Sequence, residues 1–247
     1  MLELPSDKCF VIAEAGTNHA VIGNRGVFDG AFNYIEAAAK SRADAIKFQW
    51  FNIDEELFCP LPGDEWRKHR WLRSWMPIDQ WYDVKRYAEN HDLVFLSSTF
   101  QHSTVQWLND LKVVATKVAS RAAENFPYDK APKPYLISTG MMEGEYPHFR
   151  DGMILLQCEA KYPSTMLWRG VNDSHVWPRF EGFSDHSGTP WRAIDAISRG
   201  CRIVEVHFHI DERDAGPDLP ASLTVDQLKL VCEARDAFAS LRQDRGK

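Results

Sequence analysis

Short runs of hydrophobic and β-branched residues recur along the chain, and longer polar or amphipathic stretches separate them. Several of the runs are almost continuously apolar, which is typical of parallel strands that are covered on both faces. On this pattern we predict eight strands, at residues 9–16, 45–51, 93–100, 113–120, 134–140, 153–160, 180–187 and 201–210.

Helical spacing of apolar residues appears between several of the predicted strands. Phe28, Tyr34, Ile35 and Ala38 fall on one side of a helix, and Gly200 stands where a later helix would end. A regular alternation of strand and helix indicates βαβ units and a parallel sheet. Because eight such strands are enough to close a sheet on itself, we expect an α/β fold of the (β/α)8 TIM-barrel type.

Two of the connections are too short for a full outer helix. They follow the fourth and fifth predicted strands, at 120–134 and 140–153, and the second is polar and contains Pro147. We therefore expect a trimmed barrel, with the helices after strands 4 and 5 short or missing, in a single domain spanning 1–247. An exposed barrel wall predicts a covering partner, so a homo-oligomer is expected. The stretch 52–76 is predicted to be a long loop.

Composition narrows the class of protein. Hydrophobic residues make up 44% and charged residues 26% of the chain, which predicts a globular protein with a large core. The net charge of −6 argues against binding to nucleic acid or to an anionic membrane. The five scattered cysteines form no CxxC pair, and no apolar run approaches the about 20 residues that span a bilayer. These features predict a cytoplasmic protein with small-molecule substrates.

Polar side chains stand at or near the ends of the predicted strands, where barrel enzymes place their active sites. Lysines on apolar strands are costly to bury without partners, and lysines beside hydroxyl groups suit a phosphate and a carboxylate. Two histidines on neighbouring strands suit a divalent metal. In chain order these residues are Glu14, Lys47, Gln49, Ser98, Lys117, Ser120, Ser138, Tyr162, Ser184, His186, Glu205, His207 and His209.

Several of these residues also have a structural interpretation. A single histidine such as His186 is more often satisfied by the backbone in a core, and Glu14 could pair a lysine. Lys47 and Lys117 could extend to the barrel mouth as surface lysines. The basic run Arg67–Arg73 is more typical of a solvated face, with a loop that caps the substrate as the alternative.

Several short sequence motifs favour the functional interpretation of these residues over the structural one, because together they resemble one family. FVIAEAGTNH, ADAIKFQ, FLSSTF, TKVAS, LISTGM, GFSDHSG and VEVHF follow one another in the order seen in the N-acetylneuraminate (sialic acid) synthase family. The resemblance covers about residues 9–225 and concerns the barrel domain of that family. A C-terminal antifreeze-like domain, which the family also has, is not expected in this chain.

The resemblance implies an activity and a set of site residues. The family joins phosphoenolpyruvate to the aldehyde of an N-acetylhexosamine, with a divalent metal that is expected to be Mn²⁺, or else Mg²⁺ or Co²⁺. His186 and His207 match its metal ligands. The implied catalytic residues are Glu14, Lys117, Tyr162, His186 and His207. The implied substrate-binding residues are Lys47, Gln49, Ser98, Ser120, Ser138, Ser184 and Asp218.

The chain also departs from the family pattern. Arg121 and Ala122 stand where the family has Gly-Glu, and Leu219 stands where it has a histidine. A carboxylate is thereby lost and a cation is gained, so we hypothesise that the acceptor differs from N-acetylmannosamine. Two alternatives stay open: an aldolase or lyase that acts on a related keto acid, and a non-catalytic barrel that serves as a binding subunit.

Overall fold

The computed structural model describes residues 2–20, 26–63, 65–142, 152–170, 180–213 and 216–245. Eight parallel strands form a closed barrel, in which each strand pairs with the next along the chain and the eighth pairs with the first. The strands are β1 (Phe10–Gly16), β2 (Ala45–Trp50), β3 (Val94–Thr99), β4 (Thr116–Val118), β5 (Tyr135–Ser138), β6 (Met153–Cys158), β7 (Gly182–Asp185) and β8 (Ile203–His209). The predicted TIM-barrel architecture is confirmed.

Helices surround much of the barrel. They are α1 (Val27–Lys40), α2 (Glu65–Ser74), α3 (Ile78–Glu89), α4 (His102–Asp110), α5 (Pro190–Ser198) and α6 (Val225–Arg245). The prediction that 52–76 is a long loop was wrong, because α2 lies within it. Its residues are good helix formers without an apolar stripe, so periodicity does not reveal the helix. Among the described residues, we find no helix with the length and hydrophobicity of a membrane span.

The wall of the barrel is thin on the side of β4 to β6. After β4 the chain makes only two short 3-10 turns, Ser120–Ala122 and Tyr128–Lys130, as the short connection predicted. Residues 143–151 of the connection after β5 lie outside the described residues. After β6 the part of the connection that is described, 159–170, contains no helix either, which was not predicted.

The segment after β6 packs against the barrel wall without forming a helix. The side chain of Gln157 donates to the carbonyl of Leu167 at 3.1 Å and accepts from the backbone N–H of Arg169 at 2.8 Å. Trp168 between them is 1% exposed and belongs to the main apolar core. One buried indole thus covers barrel surface that an outer helix covers elsewhere.

A short additional strand, β9 (Ser222–Thr224), lies parallel to the carboxyl end of β8, with Ser222 opposite His207. Three residues are too few for a hydrophobic period, so sequence patterning did not predict it. The Ser222 hydroxyl donates to the carbonyl of Asp218 at 2.8 Å. The pairing therefore holds the loop that carries Asp218 against the mouth of the barrel.

Inward-facing side chains change from apolar to polar along each strand. Because alternate residues share a face, Phe10 and Ile12 on β1 are followed on the same face by Glu14. On β8, Ile203 is followed in the same way by Glu205. The apolar layer consists of Phe10, Ile12, Ala45, Leu96, Ala115, Leu136, Leu156 and Ile203. This layer closes one end of the barrel, so the polar groups face the carboxyl-terminal mouth.

Candidate active site

The polar ends of the strands converge on two adjoining cavities at the barrel mouth. The inner cavity, of about 60 Å³, is lined by every residue that the family resemblance assigned to the site except Asp218. The outer cavity, of about 380 Å³, is lined by Asp218 and shares Gln49, Ser120, Tyr162 and His186 with the inner one. Strands far apart in the sequence therefore bring the residues of that set to one place.

Lys47 on β2 is held by two carboxylates deep in the inner cavity. Its Nζ lies 2.9 Å from Glu14 Oε2 and 3.6 Å from Glu205 Oε2. The same ammonium donates to Ser98 Oγ at 3.0 Å. The side chain is only 4% exposed, so these contacts are what makes the buried charge tolerable. Lys47 is not a surface lysine.

Lys117 on β4 is held in a similar way. Its Nζ donates to Ser138 Oγ at 2.8 Å and lies 3.4 Å from Glu205 Oε1. Ser184 Oγ donates to the same carboxylate oxygen at 2.8 Å. Glu205 therefore bridges the two lysines, with one oxygen toward each ammonium.

The two carboxyl groups of this cluster titrate in opposite directions. Burial raises the pKa of Glu14 to about 7, because the opposing attraction of Lys47 is not strong enough to cancel it. Burial acts in the same sense on Glu205, but Lys117 and Lys47 outweigh it and lower the pKa of Glu205 to about 2. Glu205 is thus a permanent counterion, whereas Glu14 exchanges a proton near neutral pH.

The two lysines also differ. Burial lowers the pKa of Lys117. At Lys47 the carboxylates of Glu14 and Glu205 outweigh burial and raise the pKa. Lys47 is therefore the more firmly protonated of the two lysines, and the carboxylates stabilise the charge of Lys117 less strongly.

His186, directly after β7, is oriented by its neighbours. Its ring stacks on Tyr162 with the centroids 4.3 Å apart, and its Nε2 lies 3.2 Å from Tyr162 Oη. Its Nδ1 lies 2.7 Å from the carbonyl of Glu159, an acceptor that requires a proton on this nitrogen. Burial lowers the pKa of His186, but the attraction of the neighbouring ionised Cys158 outweighs it and raises that pKa to about 9.

His207 lies beside His186, with the ring centroids 5.3 Å apart. Burial lowers the pKa of His207 to about 4, so its ring is neutral at physiological pH. Its Nδ1 is buried and has no hydrogen-bond partner among the described residues. A neutral imidazole with an unsatisfied buried nitrogen is suited to binding a cation.

The histidine pair fits a divalent metal in part. No group of three or more His, Cys, Asp or Glu side chains in the described ranges forms a complete metal site. His186 and His207 nevertheless offer two nitrogen ligands from adjacent positions of the barrel, and water or substrate oxygens complete such a set in catalytic sites. Since a metal-bound imidazole is deprotonated at the ligating nitrogen, a cation would compete with the proton on His186.

Two residues of the cluster, Glu205 and Cys158, were given no role by the family resemblance, although Glu205 was one of the candidate polar residues. Glu205 alternates with His207 on an apolar strand, and that spacing was the signal for an inward carboxylate. Cys158 at the end of β6 lies 3.7 Å from His186 Nδ1 and 3.6 Å from Ser120 Oγ. His209, by contrast, is buried but lines neither cavity.

The outer cavity is bounded on one side by α2. Arg70 on this helix donates from Nε to Thr17 Oγ1 at 3.0 Å and from Nη2 to the carbonyl of Thr17 at 2.8 Å. Trp71 stacks on Phe51 with the centroids 4.4 Å apart. These contacts fasten α2 to the loop after β1, so part of the basic run Arg67–Arg73 forms the cavity wall.

Two proteins to which this chain is similar are named as synthases of sugar acids. The chain is 30% identical to an N,N'-diacetyllegionaminic acid synthase of Legionella pneumophila, over 93% of this chain and 72% of the relative. It is also 30% identical to a pseudaminic acid synthase of Campylobacter jejuni, over 95% of this chain and 75% of the relative.

Solved structures show the same fold. The spore coat polysaccharide biosynthesis protein SpsE of Bacillus subtilis aligns with a TM-score of 0.71 at 27% identity, over 99% of this chain and 72% of that chain. A sialic acid synthetase of Leptospira borgpetersenii aligns with a TM-score of 0.77 at 21% identity, over 97% and 87%. The NeuB family profile matches residues 34–246, and the chain therefore belongs to the NeuB family.

Proposed function

We propose that the chain is a synthase that joins C3 of phosphoenolpyruvate to the aldehyde carbon of a sugar. Water adds its oxygen at C2, and the products are a nonulosonic-type 2-keto acid and inorganic phosphate. The observation that carries the proposal is the convergence of Lys47 and Lys117 with serine hydroxyls beside two imidazoles. Relatives named as synthases of legionaminic and pseudaminic acid support it.

The inner cavity supplies the anion-binding groups for phosphoenolpyruvate. Lys117 and the hydroxyls of Ser138 and Ser184 lie around Glu205, so cations and donors are already positioned before an anion arrives. Preorganised donors of this kind stabilise developing negative charge without reorganising during the reaction. We assign Lys47, Ser98 and Ser120 to the same half of the site.

Glu14 is the residue that we assign to proton transfer. Its pKa of about 7 lets it hold or release a proton at neutral pH, and an anion bound nearby would raise that pKa further. Gln49 Nε2 donates to Glu14 Oε1 at 3.4 Å and keeps the carboxyl directed into the cavity. Protonated Glu14 then supplies the proton that the aldehyde oxygen takes up when it becomes a hydroxyl.

His186 and His207 are the residues that we propose to hold a divalent cation, with Mn²⁺ expected. When bound, such a cation would supply Lewis-acid polarisation of the aldehyde oxygen. Tyr162, through its stacking on His186, sets the orientation of that imidazole. Asp218 lines the outer cavity, and we assign it to accept hydrogen bonds from sugar hydroxyls.

The inner cavity retains carboxylates although Arg121 and Ala122 stand where the family has Gly-Glu. Ala122 is fully buried in an apolar cluster with Val118 and Phe126, so no acid faces the site from that position. Glu14 and Glu205 are the acidic residues that line the inner cavity within the described ranges. Proton transfer is therefore assigned to Glu14, since Glu205 stays ionised.

The test is release of inorganic phosphate from phosphoenolpyruvate, with Mn²⁺ and a panel of N-acetylated and plain aldoses. We expect release only when an acceptor is present, and we expect Lys117→Met to abolish it. Lys40→Met is the matched control, because Lys40 is 76% exposed on α1. Cleavage of a keto acid without phosphate release would instead indicate an aldolase or lyase. Binding without any turnover would indicate a binding subunit.

We also propose that the chain works as a homo-oligomer. The barrel wall between β4 and β6 has little helical cover in its described part, and Leu167, in the segment that follows β6, is 56% exposed. Exposed apolar side chains beside a thin wall are typical of surfaces that a second subunit covers. Light scattering that gives the mass of a single chain at micromolar concentration would contradict this.

A further inference from the structure

Two buried cysteines lie side by side at the amino-terminal end of the barrel, opposite the mouth that carries the candidate active site. Cys9 directly precedes β1, and Cys201 lies two residues before β8. Phe10 and Ile203 are partners where these strands pair, and the Phe10 N–H donates to the carbonyl of Arg202 at 2.8 Å. The pairing that closes the barrel therefore brings together two cysteines from opposite ends of the chain.

The two sulfur atoms lie on the same side of the barrel wall. Cys9 Sγ is 3.8 Å from the carbonyl oxygen of Phe10, and Cys201 Sγ is 3.1 Å from that of its strand partner Ile203. Both cysteines are 1% exposed and belong to the main apolar core. Burial raises the pKa of Cys9 well above its ordinary value, and a hydrogen bond with Cys201 raises it further. The two thiols therefore already face each other.

The backbone spacing at this place suits a disulfide. Continued back from Phe10 and Ile203, the register puts Cys9 opposite Arg202 and one step from Cys201. Neighbouring parallel strands lie about 4.8 Å apart and rise about 3.3 Å per residue, so Cα atoms one step out of register are about 6 Å apart. Disulfides join Cα atoms that are about 4.4–6.8 Å apart. Bridging the pair thus needs little backbone movement.

A cavity gives small molecules access to the pair. Cys9 and Cys201 both line a space of about 360 Å³, together with residues of the amino-terminal segment and of α6 such as Ser6 and Gln243. This space has room for the small-molecule half of a mixed disulfide. Because the thiolate is the attacking form and burial keeps Cys9 protonated, we expect thiol–disulfide exchange here to be slow but not blocked.

We propose that Cys9 and Cys201 form an intramolecular disulfide when the chain meets a small disulfide such as oxidised glutathione. One thiolate attacks a sulfur of the small disulfide and releases one small thiol. The other thiolate then attacks the protein sulfur of the mixed disulfide and releases the second small thiol. Each cysteine loses a proton, and two electrons reduce the small disulfide to two thiols. The product is a covalent link across the seam between β1 and β8.

The link would fasten the two strands that close the barrel. At the other end of the same seam, β1 and β8 place Glu14 opposite His207. Oxidation at the amino-terminal end would therefore resist separation of strands that carry residues of the candidate active site. The inference goes beyond the proposed function, because it concerns a modification site and holds for any reaction at the barrel mouth.

Disulfide mapping in the full chain tests the proposal. The reduced protein is incubated with oxidised glutathione, and remaining thiols are blocked with N-ethylmaleimide before and during unfolding. Digestion with trypsin follows without reductant. Because trypsin cuts after lysine and arginine, the expected product joins peptide 9–25 to peptide 200–202. Mass spectrometry should detect this product before reduction and the two separate peptides after it.

Thermal unfolding supplies a second readout. A disulfide that closes a long loop restricts the unfolded chain, so the oxidised protein should unfold about 5–10 °C above the reduced protein. Cys9→Ser and Cys201→Ser should each lose the linked peptides and the shift. Cys232→Ser is the matched control, because Cys232 is also fully buried in the main apolar core. The control should keep both.

Three results would overturn the inference. One is recovery of Cys9 and Cys201 as maleimide adducts after prolonged incubation with oxidised glutathione. The second is a reaction that stops at the mixed disulfide, which would show that the second sulfur does not reach the first. The third is a link from either cysteine to Cys232. The map of the wild-type chain decides between these results even if a variant fails to fold, and phosphate release plays no part in it.

Discussion

Glu205 Oε1 lies 3.4 Å from the ammonium nitrogen of Lys117, and the two side chains are 4% and 2% exposed. The other oxygen of Glu205 faces Lys47, so one carboxylate neutralises two buried cations. Removal of one member of a buried ionic group leaves the remaining charges without a counterion. The free-energy cost of such an unpaired charge is larger than the net stabilisation that the intact ion pair provides.

Glu205→Gln should therefore lower the free energy of unfolding by about 3–5 kcal/mol, the usual cost of an uncompensated buried charge. Urea unfolding followed by circular dichroism measures this. The control is Glu181→Gln, which breaks an ion pair with Arg202 whose side chains are 34% and 49% exposed. That change should cost less than about 1 kcal/mol. Equal effects of the two substitutions would contradict the role given to Glu205.

Glu14 should make stability depend on pH near neutrality. Its pKa is about 7 in the folded chain against 4.5 for an ordinary glutamate, so between these values the folded chain binds more protons than the unfolded one. The contribution is complete below pH 4.5 and is lost as the pH rises to about 7, with a slope of up to about 1.4 kcal/mol per pH unit.

Urea unfolding of the wild type and of Glu14→Gln from pH 5 to pH 8 tests this slope. The difference in unfolding free energy between the two proteins should change between pH 5 and 7 and stay level above that range. A constant difference across the whole range would show that Glu14 keeps an ordinary pKa in the folded chain.

Binding of Mn²⁺ should require His207. Loss of a residue that only orients a metal ligand typically lowers metal affinity about 10–100-fold. Because His207 is proposed to be a ligand itself, His207→Asn should weaken the binding of Mn²⁺ by about 100-fold. Electron paramagnetic resonance of free Mn²⁺ measures this directly. His209→Asn is the matched control, since His209 lies two residues further on the same strand and outside both cavities.

Affinity for Mn²⁺ should also rise with pH. The pKa of His186 is raised to about 9, so the metal must displace a proton from this imidazole at any lower pH. Binding that does not vary from pH 6 to pH 9 would exclude His186 as a ligand.

Gly182 on β7 should not tolerate a side chain. A Cβ atom there would lie 2.1 Å from Leu156 Cδ2 and 3.0 Å from the carbonyl oxygen of Ile203. Gly182→Ala should therefore destabilise the protein by about 1–3 kcal/mol, the usual cost of overpacking a core. Gly26→Ala is the control, because no atom lies within 4 Å of a Cβ at that position. A thermal unfolding midpoint that is unchanged in both variants would contradict the tight fit of β7.

Periodicity was enough to locate the eight strands and to predict the thin wall after β4. It did not reveal α2, whose helical residues carry no apolar stripe, nor β9, which has three residues. The family strings named residues of the inner cavity, but they did not identify Glu205 as the link between the two lysines. Motif matching identifies residues one at a time, whereas a bridge depends on the distance between side chains.

Which side chains face inward follows from the amino-acid order alone, because the alternation along a strand depends only on neighbouring residues. Closure of the barrel decided which of them meet. The pairing of β1 with β8 places Glu14 opposite His207, although the two residues are 193 positions apart in the chain. Charges, pKa values and cavity walls depend on such distances between strands, and only the tertiary structure sets these distances.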